Sequence, residues 1–353
     1  MNQLEAMKEK IKVIRMLRVL KKSYTYEELS KITGLPITVL NRYVRGKVLP
    51  SVERARELTE KLSPYLNLED EVRRRLKYDS FGFFDTMSVL SDTNLLALIA
   101  EEVALRYMKT GVGKVLTAAT DGIPLAVQIA RMLRVLKKSY TYEELSKITG
   151  LPITVLNRYV RGKVLPSVER ARELTEKLSP YLNLEDEVRR RLKYDSFGFF
   201  DTMSVLSDTN LLALIAEEVA LRYMKTGVGK VLTAATDGIP LAVQIANELG
   251  IDVVYAKKKK EVGVDKFYEI NYVPSASGSI TTLYLPAWAL KKGERVLIVD
   301  DVIRSGETQK ALIELCKQAD ATPVGMFFLI SVGDIVDKLK EEYNIPVDAL
   351  VRL

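Results

Sequence analysis

Val296-Leu297-Ile298-Val299-Asp300-Asp301-Val302-Ile303-Arg304-Ser305-Gly306-Glu307-Thr308 is the stretch on which the fold turns. Four consecutive apolar residues predict a buried strand, which two acids close. A short glycine-containing loop then opens into the helical apolar pattern Ala311, Leu312, Leu315. Upstream, Ile251–Ala256 reads as a short strand, followed by Lys257-Lys258-Lys259-Lys260. Two β-like stretches follow, at 268–273 and 280–285, joined by the turn-forming Ser275-Ala276-Ser277-Gly278-Ser279. Strands alternating with helices predict an α/β domain with a mainly parallel sheet.

Further upstream the chain repeats itself. Residues 15–130 recur without a change as 131–246, so 353 residues less the 116 copied leave 237 unique ones. Zero divergence marks a very recent, unselected duplication or an assembly artefact, and intact mass separates the two. Each copy opens with a helical module. Ahead of and into the first copy, Leu4, Met7, Ile11, Ile14 and Leu17 share one helix face, and Thr25-x-x-Glu28 is a capping box that starts a second helix. Gly34-Leu35-Pro36 breaks the chain, a third helix runs through Val44 to Gly46, and a fourth follows Pro50-Ser51. Each copy then carries a helix, a buried strand at 113–119 (229–235 in the second copy) and a Thr-Asp-Gly loop leading into another helix. That unit turns backbone N–H groups toward an anion. The first copy stops there; only the second continues to the Asp300-Asp301 motif.

Composition narrows the chemistry. With 47% hydrophobic and 28% charged residues the chain is expected to be globular. It has no histidine, which excludes Ser-His-Asp and Cys-His catalysis and the commonest zinc ligand. The single cysteine, Cys316, excludes an intrachain disulfide and lies in a helical apolar pattern, as a buried small hydrophobe would. No apolar run reaches the roughly 18–20 residues of a membrane span, and the start lacks a signal-peptide core. A cytoplasmic setting without a membrane partner is expected. The formal charge of +7 permits nucleic acid as a partner.

The stretch GLPITVLNRYVRGKVLPS resembles the Cro/repressor-like helix-turn-helix family. On its third helix Val39, Leu40 and Tyr43 can face the core, while Thr38, Asn41, Arg42 and Arg45 project outward, followed by Lys47; the second copy places Thr154, Asn157, Arg158, Arg161 and Lys163 likewise. Asparagine reads adenine, arginine reads guanine, and threonine and lysine reach backbone oxygens. Residues 15–76 hold fourteen Lys/Arg against eight Asp/Glu, a net of +6 suited to phosphates. Double-stranded DNA is the expected partner.

Two carboxylates at a strand's carboxyl end can hydrogen-bond the two hydroxyls of a ribose. The Ser305 and Thr308 hydroxyls and the loop N–H groups, at a helix start, can hold its 5′-phosphate. The thirteen residues are similar to the signature of type I phosphoribosyltransferases. Ala235-Thr236-Asp237-Gly238-Ile239-Pro240 resembles that family's pyrophosphate loop, and Lys258 sits where members carry a basic pyrophosphate contact. With a DNA-binding module ahead of it, the chain resembles bacterial purine repressor-like and archaeal orotate phosphoribosyltransferase-like (GfcR-type) regulators. These imply phosphoribosyl pyrophosphate or a nucleotide as effector, with Mg²⁺ as a companion ion. The resemblance implies binding through Asp300, Asp301, Arg304, Ser305, Gly306, Glu307, Thr308, Thr236, Asp237, Gly238 and Lys258.

Many purine-specific transferases have an acid where this chain has Arg304; a guanidinium cannot act as a base. Asp237 repels a pyrophosphate unless Mg²⁺ lies between them. Both favour sensing over turnover, so a regulator with no catalytic residues is expected, the alternative being an active orotate- or purine-type phosphoribosyltransferase. The expected domains are a helix-turn-helix module at 1–76, a truncated duplicate at 77–130, a second module at 131–192 and the complete effector domain at 193–353. The truncated piece is expected to compete with 193–246 for the sheet or to pack poorly. Two-fold operators call for paired modules, hence a homodimer, or pairing of Arg42 and Arg158 of one chain.

Overall fold

A computed structural model describes residues 3–45, 48–78, 80, 84–107, 133–161, 166, 168–274 and 278–353. They fall into two compact units, one taking 3–76 and 88–107, the other 77–87 and 133–353.

The first unit is helical: α1 (Gln3–Leu20), α2 (Tyr26–Thr33), α3 (Ile37–Val44), α4 (Val52–Leu62) and α5 (Leu68–Arg75). The Thr25 hydroxyl accepts the Glu28 N–H at 3.2 Å and the Glu28 carboxylate accepts the Thr25 N–H at 2.7 Å, so the box that the sequence spells starts α2. Gly34, at φ 72°, ends it in the left-handed conformation that a side chain disfavours. Next in the chain come β1 (Lys77–Tyr78), β2 (Phe84–Asp85), α6 (Met87–Leu90) and α7 (Thr93–Tyr107). The duplicated fragment is divided. Its hairpin β1–β2 belongs to the second unit, whereas Leu95 and Leu98 of α7 join Leu17, Leu20, Leu40 and Leu58 in the first unit's core. α7 therefore packs on its own module instead of competing for the sheet. The strand expected at 113–119 and the loop at 120–122 lie outside the described residues.

The second unit repeats that module as α8 (Tyr142–Thr149), α9 (Ile153–Val160), α10 (Val168–Leu178) and α11 (Leu184–Arg191). It continues with β3 (Lys193–Tyr194), β4 (Phe200–Asp201), α12 (Met203–Leu206) and α13 (Thr209–Tyr223). Then come β5 (Lys230–Ala234), α14 (Ile239–Leu249), β6 (Asp252–Ala256), β7 (Phe267–Tyr272), β8 (Thr281–Pro286) and β9 (Arg295–Ile303). The chain closes with α15 (Glu307–Gln318), β10 (Thr322–Ser331), α16 (Ile335–Tyr343) and β11 (Val347–Arg352). The expected module at 131–192 and domain at 193–353 thus form one compact body. Arg189 donates to the Arg352 carbonyl at 2.8 Å, and Lys138 pairs with Asp208 at 2.8 Å.

Five strands make an all-parallel sheet in the order β11-β10-β9-β5-β6, with β7–β8 a separate antiparallel hairpin. Side chains alternate between its faces, as strand geometry requires. Val231, Leu297, Val299 and Phe327 meet α13 and α14; Leu232, Ile298, Met326 and Phe328 meet α15 and α16. The chain leaves β5 toward β6, then returns to start β9 on the other side of β5. The crevice at the carboxyl ends of β5 and β9 is therefore the topological switch point, where open α/β sheets bind ligands.

One expected boundary needs correction. The strand does not end at the acid pair: β9 runs to Ile303 because β10 continues to pair with it, Phe328 opposite Asp300 and Ser331 opposite Ile303. β5 pairs only with Val296, Leu297 and Ile298. The last part of β9 thus has a neighbour on one side only, and Asp300 and Asp301 flank the open crevice.

Candidate functional site

Gly238 sets how closely the two sides of the crevice approach. A β-carbon there would lie 2.4 Å from Asp300 Oδ1 and 2.4 Å from Thr233 Oγ1, so only glycine lets the loop after β5 pass this near the acid pair. The preceding Ala235–Thr236 peptide is cis. Thr236 and Asp237 are exposed at the rim, the Thr236 hydroxyl donating to Asp237 at 3.3 Å.

Asp300 is buried. Its Oδ1 accepts the Asp301 N–H at 3.1 Å, and its Oδ2 accepts Gln309 Nε2 at 3.0 Å. Asp301 Oδ2 accepts the Thr202 hydroxyl at 3.1 Å. Burial, and then the charge of Asp301, hold the Asp300 carboxyl well above the usual carboxylate range. Burial also raises Asp301, with the charge of Asp237 adding to it, although Thr202 opposes the rise. The structure thus brings Asp237, Gly238, Asp300 and Asp301 to one crevice, an acidic wall that can accept hydroxyl donors. Cys316 plays no part: it is buried and its thiol is pushed up to about 12.

Gly306, at φ 85°, turns the chain from β9 into α15 and leaves the helix start without a side-chain cap. Arg304, Ser305, Gly306, Glu307 and Thr308 line a cleft of about 490 Å³ together with Pro274, Asp300, Val302 and Gln309. Ser305 donates to the Glu307 carboxylate, and Thr308 lies 3.4 Å from the Tyr272 hydroxyl. The guanidinium of Arg304 stacks over the Phe200 ring at 4.7 Å. Among the four lysines, Lys257 pairs with Glu261 and Lys260 with Glu269. Lys258 is exposed and has no ion-pair partner among the described residues; no described contact joins it to the acid pair.

Four residues escaped the sequence reading: Thr202, Phe200, Gln309 and Tyr272. Gln309 lies one residue past the motif, where only the structure shows that it turns back on Asp300. Thr202 and Phe200 arrive from a hairpin almost a hundred residues upstream, and no spacing signals that.

On the helix-turn-helix modules, Thr38, Arg42 and Arg45 are exposed, as are Thr154, Arg158 and Arg161. Asn41 and Asn157 do not project fully, contrary to expectation: both are half-buried, because α3 and α9 lean on the helix before them. Asn41 Oδ1 accepts the Tyr26 hydroxyl at 3.5 Å, while the side-chain oxygen of Asn157 is buried without a hydrogen-bond partner. Lys47 and Lys163 lie outside the described residues.

Comparison with known proteins matches residues 14–63 and 131–179 to a helix-turn-helix model and residues 207–348 to a phosphoribosyl transferase domain model. The purine biosynthesis transcriptional repressor PurR of Bacillus subtilis is 30% identical over 146 residues, 41% of this chain and 51% of that protein. The chain thus spans about half the length of this relative. A xanthine phosphoribosyltransferase of Streptococcus pyogenes is 31% identical over 170 residues, 46% of this chain and 82% of that protein. The crystal structure of adenine phosphoribosyltransferase from Rhodothermus marinus aligns with TM-score 0.43 and 24% identity, covering 48% of this chain and 98% of that one. With the motif of β9 at the switch point and a relative of this coverage, the chain belongs to the phosphoribosyltransferase family.

Proposed function

We propose that this chain is a DNA-binding transcriptional regulator whose phosphoribosyltransferase-like domain senses phosphoribosyl pyrophosphate or a related nucleotide. The observation that carries the proposal is the route from the acid pair to the second helix-turn-helix. Thr202 donates to Asp301, and α12 then leads to Asp208. Asp208 accepts the N–H groups of Asn210 and Leu211 at the start of α13 and also holds Lys138 at 2.8 Å and Arg191 at 3.3 Å. Both cations belong to the DNA-binding module. A ribose hydroxyl that donates to Asp301 competes with Thr202, and so shifts the segment that anchors the module. Coupling of this kind is commonly worth about 1–3 kcal/mol.

In this reading Asp300 and Asp301 receive the ribose hydroxyls, while the 304–308 loop and the start of α15 hold the 5′-phosphate. Thr236, Asp237, Gly238 and Lys258 face the pyrophosphate. Mg²⁺ fits the acidic group, since it offsets the repulsion between Asp237 and a pyrophosphate and the repulsion among the carboxylates, which adds to the burial that raises Asp300 and Asp301. Among the described residues no three acidic, cysteine or histidine side chains form a metal site by themselves; in this reading the ion is held jointly by the acids and the bound pyrophosphate. The DNA contacts fall to Thr38, Arg42, Arg45, Thr154, Arg158 and Arg161, with Asn41, Asn157, Lys47 and Lys163 beside them, and the working form is a homodimer on a two-fold operator. The order of domains is the one implied by the resemblance to archaeal orotate phosphoribosyltransferase-like regulators. Among the described residues no helix is long and apolar enough to cross a membrane.

The test has two arms. Genomic DNA captured with and without phosphoribosyl pyrophosphate yields an operator whose affinity the ligand changes. Arg42→Ala with Arg158→Ala then weakens binding and lowers the salt slope by about one per lost phosphate contact; unchanged binding rejects the recognition-helix assignment. Incubation with phosphoribosyl pyrophosphate, Mg²⁺ and each nucleobase releases no pyrophosphate, whereas rapid turnover establishes the alternative, an active transferase, which the xanthine phosphoribosyltransferase relative favours.

A further inference from the structure

The segments 77–87 and 193–203 have the same sequence and two different surroundings. The second copy is held at the acid pair: Thr202 donates to Asp301 and Arg304 stacks on Phe200. Its outer side is open, with Phe197 85%, Phe199 64% and Met203 59% exposed. The first copy sits elsewhere on the same unit. Met87, the twin of Met203, is 1% exposed and packs with Ile239 and Tyr255, beside Trp288. Asp85, the twin of Asp201, is likewise buried, and Lys77 lies 4.0 Å from the centre of the Trp288 ring. The Ser80 N–H donates to Asp265 at 3.1 Å. Gly263, at φ 86°, lets the backbones touch: a β-carbon there would lie 2.3 Å from the Phe84 carbonyl carbon.

We infer that the surface made by Ile239, Tyr255, Gly263 and Trp288 is a receptor for this hairpin, and that in an assembly of two chains it takes the 193–203 hairpin of the second copy. One hairpin does not fill its own acid pair and its own chain's receptor together, but its exposed outer side, with Met203, is open to a partner's receptor while Thr202 stays on Asp301. In this chain the 193–203 hairpin is tied to Asp301, so the receptor is filled by a duplicate; with a single copy per chain the occupant comes from a partner. Exchange by both chains gives a closed two-fold pair, the isologous form that most homodimers take. The match is apolar: Met87 packs on Ile239 and Tyr255, with Val243 and Trp288 beside them. Ile239 also begins the helix that follows the loop 236–238, so the visiting hairpin braces one wall of the ligand crevice. The inference does not depend on the regulator reading, because it concerns assembly and uses no DNA or ligand.

The test uses the full chain. Met87→Asp expels the resident hairpin and vacates the receptor. In that background Ser196→Cys, the twin position of Ser80, with Asp265→Cys places one thiol on the 193–203 hairpin and one on the vacated receptor. Oxidation is expected to yield a covalent dimer on a non-reducing gel, several-fold more abundant than in the same cysteine pair with Met87 intact. Adding Met203→Asp on the hairpin, or Gly263→Val on the receptor, is expected to abolish it; the two variants alter different surfaces, so failure of one to fold leaves the other decisive. An intrachain disulfide, no disulfide, or cross-linking that survives both variants overturns the inference. Loss of operator binding or of ligand response would refute the proposed function without touching this result.

Discussion

Gly238→Ala tests the site at its narrowest point. The added methyl falls 2.4 Å from both Asp300 Oδ1 and Thr233 Oγ1 and 3.2 Å from Asp300 Cα. Neither neighbour can step aside: Thr233 is fully buried within β5, and Asp300 is clasped by Gln309 and by the Asp301 N–H. The loop must therefore lift away from β9. Overpacking a closed site costs about 1–3 kcal/mol. For a unit of this size that lowers the melting temperature by roughly 2–4 °C per kcal/mol, about 2–12 °C in all. Gly229→Ala is the matched control, because its methyl meets nothing closer than 3.9 Å; a change within about 0.5 kcal/mol is expected. Scanning calorimetry reads the stability and isothermal titration with phosphoribosyl pyrophosphate and Mg²⁺ reads the crevice, which Gly238→Ala should weaken at least tenfold. If Gly238→Ala melts with Gly229→Ala and binds like the parent chain, the close approach of the loop to Asp300 is wrong.

Asp300→Asn should stabilise the ligand-free protein at pH 8 and do little near pH 4. Burial raises the Asp300 carboxyl in the folded chain, so its contribution is intact below the ordinary carboxylate pKa near 3.8 and is lost as pH rises through the elevated folded value. Urea midpoints across that range check the sign, and a variant less stable than the parent at pH 8 refutes it. Glu187→Gln removes a buried carboxylate that takes Arg190 at 2.7 Å, Arg191 and the Ser139 hydroxyl. A cost of about 3–5 kcal/mol is expected, confined to the transition of the second unit. Its twin, Glu71→Gln, should lower only the first unit's transition, and calorimetry of the two variants assigns the peaks.

What was legible depended on how locally each feature is determined. The capping box at Thr25 and the left-handed stop at Gly34 involve residues a few positions apart, and the structure has both. The acid pair was visible because a β-strand, two carboxylates and a helix start are contiguous. The end of β9 was not, since pairing with Phe328, Ile330 and Ser331 decides it and those residues lie some thirty positions away. Thr202 was missed for the same reason, and Gln309 because its turn back onto Asp300 is set by the path of the loop into α15, which spacing alone does not give. The half-burial of Asn41 depends on how α3 leans on α2, which an outward-facing helical count does not contain. The two fates of the hairpin mark the limit: identical letters at 77–87 and 193–203 carry no information about which copy is buried.

That identity also makes the chain its own reference. Met87 and Met203 share every neighbour in sequence for many residues on either side, so any difference between their methyl resonances reports surroundings alone. The Met87 methyl, closed in with Tyr255 and Trp288, should be displaced by ring currents, and the exposed Met203 methyl should resonate near its free position. Titrating in denaturant, DNA or effector then follows departure from the receptor and opening of the crevice as two separate signals from one molecule, with no external standard.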